Sequence, residues 1–208
     1  MVKKKASLRE KHALATRQAI ARAGASLLSR KGYYNVTVDE ICEKAQVSKG
    51  TFYKYFKSKD EIIWYEYHKL DEYYNRSAAD AMAIEKKSAD KLRVLCNAAT
   101  TYVSSLGVSN VRAAYQSQLG PDRGFSRIAS EERPIYSLAR RTVEEGQQKG
   151  ELRSDVSVDE MTRTWVTALR GTVFEWCLTN GKYDLVAEAS RVCTALVEGM
   201  QRRQTANH

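Results

Sequence analysis

The apolar residues of this chain recur at the spacing of α-helices almost throughout. One stripe runs through Ile20, Ala23 and Leu27, and another begins with Leu92 and Leu95. Steps of three and four residues place such side chains on one face of a helix, whereas the alternation typical of strands is nearly absent. Only two prolines interrupt the pattern. The sequence therefore predicts an all-α protein.

The starts and ends of the helices are marked by capping signals. Residues 37–40, 58–61 and 157–160 each have a hydroxyl followed three residues later by glutamate, and Ser48 is a further N-cap. In such a capping box the two side chains bond each other's backbone amides. Pro134 fits the first position of a helix. Helix ends are indicated by Gly32, Gly150 and Asn180-Gly181.

These signals divide the 208 residues into nine predicted helices and one long connection. The connection is residues 120–133, "GPDRGFSRIASEER", whose glycines, proline and polar residues favour a loop. The helices are predicted over 8–31, 38–45, 49–55, 59–83, 89–106, 109–119, 134–149, 158–179 and 184–202.

Positive charge is concentrated at the N-terminal end of the chain. Residues 1–60 hold 14 Lys and Arg against 5 Asp and Glu, whereas residues 61–208 hold 20 of each, so the first segment accounts for the net charge of +9. A basic module joined to a neutral body indicates a polyanionic partner, either nucleic acid or an acidic membrane surface.

The remaining composition narrows the class of protein. No apolar run approaches the roughly 20 residues that a transmembrane helix needs, and the basic N-terminus is not followed by the apolar segment of a secretory signal. Cys42, Cys96, Cys177 and Cys193 are widely spaced, which is typical of reduced cytosolic thiols rather than of a zinc site or a disulfide framework. We therefore expect a cytoplasmic protein without a bound metal.

Residues 38–55 have the pattern of a helix-turn-helix. Two short predicted helices are joined by Gln46-Val47-Ser48. Phe52 and Phe56 are one turn apart and belong to the small core, while the polar and aromatic side chains between them face outward. An outward surface of lysines and hydroxyls suits a phosphate backbone.

Residues 17–62 resemble the DNA-binding domain of the TetR (tetracycline-repressor-like) family. The resemblance rests on Arg17 and on the ordered stretch "AQVSKGTFYKYFKSKDEI" at residues 45–62. Two positions depart from the family pattern, namely Gln46, where a turn glycine is usual, and Val36, where threonine is common. The C-terminal half matches one large branch of the family more loosely, in "EEGQQKGELRSDVSVDEM" and "RGTVFEWCLTNGKYDL".

The resemblance implies a nine-helix fold with two domains. Residues 1–57 would form a helix-turn-helix DNA-binding domain, and residues 58–208 an effector-binding and dimerisation domain. A homodimer formed by the last two helices would bind a palindromic DNA operator as a transcriptional regulator, acting as a repressor that a small-molecule effector releases. The resemblance does not identify the effector, and no cofactor is implied.

The expected DNA contacts lie in and around the second helix of the helix-turn-helix. Phosphate contacts are expected from Tyr53, from Lys59 and from the two hydroxyls that begin helices. Lys59 stands in the first turn of a helix, where a cation is unfavourable unless a phosphate is near. Gly50 allows close backbone approach, and the remaining residues face base edges or further phosphates. The full set is Thr37, Ser48, Lys49, Gly50, Thr51, Tyr53, Lys54, Tyr55 and Lys59.

Candidates for the effector cavity are aromatic residues, each of which also fits an ordinary core position. Arg163 and Arg170 are seven residues apart on one helix, and could hold an anionic ligand or lie on an exposed or dimer-rim face. Gly171 and Gly199 would allow close helix approach in a dimer. The cavity candidates are Trp64, Tyr67, Tyr102, Phe125, Tyr136 and Trp176. The dimer-seam candidates are Trp165, Leu169, Val173, Val192, Leu196 and Met200.

Three other classes of protein are alternatives to a regulator. An enzyme is disfavoured, because His12, His68 and His208 have no metal partner at helical spacing and no phosphate-binding glycine loop is present. A basic membrane-surface protein would need a basic amphipathic helix with a broad apolar face, which liposome binding would reveal. A DNA-organising protein without a ligand would share the DNA-binding domain and differ only in its lack of effector response.

Overall fold

The computed structural model describes residues 7–119 and 127–201, and these residues form the expected nine helices. The fourth helix contains a π-helical turn. The bounds are α1 Leu8–Lys31, α2 Val38–Ala45, α3 Lys49–Tyr55, α4 Lys59–Tyr73 continued by the π turn Tyr74–Ala78 and by Ala79–Ile84, α5 Ser88–Ser105, α6 Val108–Gln118, α7 Pro134–Gln148, α8 Val158–Leu178 and α9 Leu185–Met200. A short 3-10 turn, Arg127–Ala129, precedes α7. The all-α prediction is confirmed.

Most predicted helix starts are confirmed by their hydrogen bonds. The hydroxyl of Thr37 accepts from the Glu40 amide, and Glu40 accepts in return from the Thr37 amide. Ser48 caps α3 by accepting from the Thr51 amide at 3.1 Å. The capping box predicted for Ser58 is wrong, because its hydroxyl makes no cap bond. There the glutamate three residues on accepts from the amide of residue 57 instead.

The long fourth helix is the main departure from a regular pattern. Between Tyr74 and Ala78 its backbone takes a π-helical turn, which adds one residue to the turn. Tyr74 and Ala78 are both buried, so the turn lies against the core and not at the surface. A wider turn of this kind is frequent beside functional sites.

Two hydrophobic cores share α4. The core around the helix-turn-helix contains Ile20 and Phe52, and it includes Ile62 from the start of α4. The core of the body contains Leu70 from the same helix together with Trp165 of α8. The predicted domain boundary between residues 57 and 58 stays a prediction, and the first core extends across it. One helix therefore connects the DNA-binding end to the body.

The body is closed by tight packing between α7 and the segment that follows it. An added Cβ on Gly146 would lie 2.6 Å from Leu152 Cδ1, 2.7 Å from Leu152 Cγ and 2.8 Å from Ser88 Cβ. Leu152 is buried, and it forms an antiparallel bridge with Gln201 that ties the α7–α8 connection to the end of α9. A side chain at position 146 would push these elements apart.

Gly146→Ala is therefore expected to lower the free energy of unfolding by about 1–3 kcal/mol, the usual cost of overpacking a core. Chemical denaturation monitored by circular dichroism would measure it. Arg141→Ala is the matched control, because Arg141 is exposed on the same helix and should change stability by less than about 0.5 kcal/mol. Equal stability of Gly146→Ala and the wild type would show that this contact relaxes freely.

Candidate DNA interface and effector cavity

The second helix of the helix-turn-helix, α3, presents one buried and one exposed side. Phe52 is fully buried and packs against Phe56, with ring centroids 6.1 Å apart. Tyr53, Lys49 and Lys54 are exposed. The division of aromatic residues expected from the sequence is present for Tyr53, whereas Tyr55 is half-buried and packs against the same core. Contact of the exposed set with DNA stays a prediction.

The turn between α2 and α3 has the left-handed backbone that its sequence position suggested. Gln46 has a φ of 54° and a ψ of 46°, a conformation that favours glycine and costs other residues some strain. Its amide bonds to the Glu43 carbonyl, and the Val47 amide reaches the Cys42 carbonyl at 3.0 Å. The turn is therefore closed by backbone bonds despite the missing glycine.

Two polar contacts position residues expected to meet DNA. Lys49 Nζ lies 2.7 Å from Asp39 Oδ1 on α2, and both side chains are mostly exposed. The pKa of Lys49 is raised by this hydrogen bond to Asp39. Lys54 Nζ lies 5.8 Å from the centre of the Tyr55 ring. Exposed ion pairs are weak, so a phosphate can replace Asp39 as the partner of Lys49.

Lys59 has a role inside the chain that the sequence did not reveal. Its Nζ donates to the carbonyl oxygens of Tyr33 at 2.7 Å and Val36 at 2.9 Å, and lies 4.4 Å from the centre of the Tyr33 ring. Partial burial lowers its pKa. Lys59 thus fastens the start of α4 to the α1–α2 connection. An ammonium has three donors, so one remains for the predicted phosphate contact.

A narrow cavity of about 50 Å³ lies inside the body. Its wall is mainly apolar and aromatic, and its charged lining residues are Arg133 and Arg170. Arg133 donates to Asp71 Oδ1 from Nε at 3.1 Å and from Nη2 at 2.9 Å. The uncharged lining residues are Tyr67, Leu70, Tyr74, Ala99, Thr100, Val103, Tyr115, Ile128, Ile135, Val166, Leu169 and Val173.

A larger groove of about 350 Å³ lies between α1 and the body. Leu28 of α1, Ile63 of α4 and Val111 of α6 contribute to its floor, and Arg22 and Glu66 to its rim. Tyr67 lines both this groove and the narrow cavity, so it is the side chain between the two spaces. Burial raises the pKa of Tyr67 to about 12, which keeps its hydroxyl neutral.

Of the five predicted cavity residues that the structure describes, Tyr67 alone lines the narrow cavity or the groove. Trp64 is buried near Arg127, whose Cζ lies 5.2 Å from the indole ring. Tyr102 packs on Tyr73, and Trp176 donates from Nε1 to a backbone carbonyl at 3.1 Å. Tyr136 is buried beneath the Arg170 guanidinium, while Phe125 lies outside the described residues. Trp64, Tyr136 and Trp176 are therefore core side chains, and Tyr102 is partly buried.

The sequence contained a signal for the lining that the choice of aromatics missed. Residues 67, 70 and 74 of α4 recur at steps of three and four, as do residues 166, 169, 170 and 173 of α8. Both stripes face one space in the structure. A helical stripe of apolar residues that includes an arginine would have been a better sign of a cavity wall than aromatic side chains were.

The predicted dimer seam needs correction. Trp165, Leu169, Val173 and Met200 are buried within the single chain, and Leu169 and Val173 face the narrow cavity. Side chains packed inside one protomer have little surface to offer a partner. The other two predicted residues, Val192 and Leu196, are half-buried on α9. Phe174 and Leu178 are exposed on α8 and were missed.

The structure distinguishes the two arginines that were considered together. Arg163 is largely exposed, with Nε 4.0 Å from Glu131 Oε1. Arg170 lines the narrow cavity, and its Cζ lies 5.6 Å from the centre of the Tyr136 ring. Of the two alternatives, Arg163 therefore lies on an exposed face, and Arg170 lies in the cavity wall.

Comparisons with known proteins agree with this architecture. Residues 20–63 match the family model for bacterial regulatory proteins of the tetR family, and residues 68–199 match that for the C-terminal region of YsiA-like proteins. The chain belongs to the TetR family. The family resemblance drawn from residues 17–62 is confirmed, and so is the function of a DNA-binding transcriptional regulator.

Individual relatives of this TetR-family protein match along most of their length. The fatty acid metabolism regulator protein of Bacillus subtilis is 25% identical over 184 residues, covering 87% of this chain and 93% of the relative. The HTH-type regulator YdeS of the same organism is 29% identical over 149 residues, 69% and 71% of the two chains. Thermus thermophilus FadR, solved in complex with lauroyl-CoA, has a TM-score of 0.70 and 25% identity, covering 92% and 98%.

Membrane-spanning helices and clusters of metal-ligating residues are both absent from the described part of this TetR-family protein. Within residues 7–119 and 127–201, no helix is long and apolar enough to cross a bilayer. In the same ranges, His, Cys, Asp and Glu side chains form no group of three that could hold a metal ion.

Lys59→Met is expected to lower the free energy of unfolding by about 2 kcal/mol, because it removes two charge-assisted hydrogen bonds to part-buried carbonyls. If the third donor meets a phosphate, the salt slope of DNA binding should also fall by about one unit. Denaturation and filter binding at graded salt would measure both. Lys57→Met, exposed in the same connection, is the stability control. Unchanged stability would contradict the fastening role.

Proposed function

We propose that this TetR-family regulator is a repressor that binds a palindromic operator as a homodimer and leaves it when a small apolar molecule occupies the body. It acts in the cytoplasm on double-stranded DNA and needs no cofactor. The exposed residues of α3 supply base contacts, while Tyr53, Lys59 and the hydroxyls of Thr37 and Ser48 supply phosphate contacts. Phosphate contacts position the protein and base contacts select the sequence.

One observation carries the proposal, namely the path of α4. At its first residue, Lys59 is bonded to the α1–α2 connection. Two turns on, Tyr67 lines both the groove and the narrow cavity. A molecule that displaces α4 at Tyr67 would therefore move the helix-turn-helix. In a dimer the two recognition helices must remain roughly 34–36 Å apart to enter successive major grooves, so such a movement weakens DNA binding.

The relatives indicate which effectors to test first. The Bacillus subtilis relative is named a fatty acid metabolism regulator protein, and the Thermus thermophilus structure contains lauroyl-CoA. The groove of about 350 Å³ is within the range of ligand pockets, and the narrow cavity of about 50 Å³ is below it. We propose an effector with an apolar chain, of the fatty acid or acyl thioester class, whose bulk lies in the groove.

The dimer seam is proposed on the exposed sides of the last two helices. Gly171, Phe174 and Leu178 form an exposed stripe along α8 at steps of three and four residues. Val192 and Leu196 of α9 are half-buried, and they border Ala168 and Thr172 of α8. A twofold dimer uses the same surface on both copies, and these two apolar surfaces are the ones proposed for it.

Two of the three other classes of protein, the enzyme and the DNA-organising protein, differ from this function in observable ways. An enzyme needs convergent reactive groups, whereas the cavity contains tyrosines of raised pKa and two guanidiniums. A DNA-organising protein would bind DNA equally with and without any cavity ligand.

Effector control predicts that operator and ligand weaken each other's binding by the same factor. Genomic footprinting would first identify the operator. We expect acyl-CoA thioesters or fatty acids of a suitable chain length to bind about 100-fold less tightly to the operator complex than to the free dimer, which is enough to empty most operators. Calorimetric titration with and without saturating operator tests this. Equal affinities across the whole set would reject effector control and favour the organiser.

Leu178→Arg is expected to weaken the dimer by at least about tenfold, because a twofold seam would bring two buried charges together. The fold should be unaffected, since Leu178 is 65% exposed in the single chain. Sedimentation equilibrium would measure the dissociation constant. Ile84→Arg is the matched control, because Ile84 is 80% exposed at the end of α4. A dimer as stable as the wild type would move the seam elsewhere.

A further inference from the structure

The narrow cavity contains a buried donor without a hydrogen-bond partner. Nη2 of Arg170 is inaccessible to solvent and bonds to no group in the described part of the chain. The guanidinium lies against the Tyr136 ring, and the backbone carbonyl of Arg170 accepts from the Tyr115 hydroxyl at 3.3 Å. These contacts fix the position of the residue, while Nη2 of its guanidinium donates to no acceptor.

The two charged residues of the cavity wall differ in how directly a carboxylate pairs with them. Arg133 and Arg170 are its charged lining residues, and Asp71 is bonded twice to Arg133. The Glu131 carboxylate is exposed and forms its salt bridge with Arg163, but its charge also acts on Arg170 and raises the pKa of that residue. Tyr67 and Tyr115 are uncharged phenols, and burial raises the pKa of both. In the described lining the Arg170 guanidinium therefore has no carboxylate in direct contact, and Glu131 offsets its charge only from a distance.

Such an arrangement is unfavourable for the buried end of the guanidinium. Burial lowers the pKa of Arg170, because the charged form loses solvation there. A buried charged donor without a partner costs more than a neutral one, and proteins normally pair it. A ligand with an anionic group would remove this cost, so the cavity favours an anion over a neutral molecule.

We propose that Arg170 receives a carboxylate of the effector, so that the effector is a free carboxylic acid with an apolar chain. This inference rests on the proposed function, because it takes the cavity to be part of the effector site. The carboxylate occupies the narrow cavity, and the chain passes Tyr67 toward the groove. The thioester carbonyl of an acyl-CoA is uncharged, so Arg170 separates a free acid from its thioester.

The lining suits a carboxylate better than a phosphate. A phosphate has more acceptor oxygens and carries nearly two charges, and it would need several donors. Thr100 already donates to the Cys96 carbonyl at 2.9 Å, and Tyr115 donates to the backbone. Arg133 is bonded to Asp71. A cavity of about 50 Å³ admits a carboxylate with little more than its adjoining carbons.

The test compares octanoate with methyl octanoate and octanoyl-CoA by isothermal titration of the full-length protein at neutral pH. Octanoate is expected to bind the wild type at least about tenfold more tightly than its methyl ester, the usual loss when a charged hydrogen bond is removed. Arg170→Met should abolish the preference, and Arg170→Lys should reduce it. Arg163→Gln is the matched control, two turns away on the same helix, and should retain it.

Each outcome decides between the possibilities. Equal affinities of octanoate and its ester for the wild type, no binding of octanoate, or an unchanged preference in Arg170→Met would overturn the inference. The wild-type comparison stands even if an Arg170 variant fails to fold. If octanoyl-CoA releases operator DNA independently of Arg170, the proposed function is supported and the carboxylate site is rejected. If octanoate binds through Arg170 without releasing DNA, the carboxylate site is supported and effector control by this acid is rejected.

Discussion

The structure depends on the membership of one helix in two hydrophobic cores. Ile62 at the start of α4 is buried with the helix-turn-helix, and Leu70 two turns later is buried with the body. A rigid helix in two cores cannot tilt in one without disturbing the other. The bonds from Lys59 to the Tyr33 and Val36 carbonyls strengthen this coupling at the DNA-binding end.

The close contact between α1 and α4 has the same effect. A Cβ on Gly24 would lie 2.5 Å from Ile62 Cδ1, so the two helices approach closely at this point. The groove opens beside that contact, between α1 and α6. A chain inserted in the groove would therefore act directly on the joint between the two cores, whereas a group in the narrow cavity would act on the middle of α4.

Features that depend on a few neighbouring residues were predicted well from the sequence, whereas contacts between residues far apart in the chain were not. Caps such as Thr37 and Ser48 act within three residues, so each could be identified alone. The predicted Ser58 cap is absent, and the glutamate that would have completed it accepts from the amide of residue 57. Whether the Leu169 side chain faces the body or a partner subunit depends on which helices pack around α8. Its assignment to the seam was wrong because an apolar stripe does not say which neighbour it meets. The Lys59 contacts span more than 20 residues, so the unfavourable place of this cation in a first turn indicated a special role but not its partners.

The π turn at Tyr74–Ala78 has a consequence for how the chain can change in length. A π turn is a helical turn with one residue inserted. Deleting a residue from a regular helix rotates everything after it by about 100°, but here it would restore ordinary winding and leave the later faces where they are. Tyr74 borders the narrow cavity, so such a deletion would reshape the cavity wall. Single-residue length variants at this turn are thus a route by which ligand preference could diverge while the DNA-binding end stays the same.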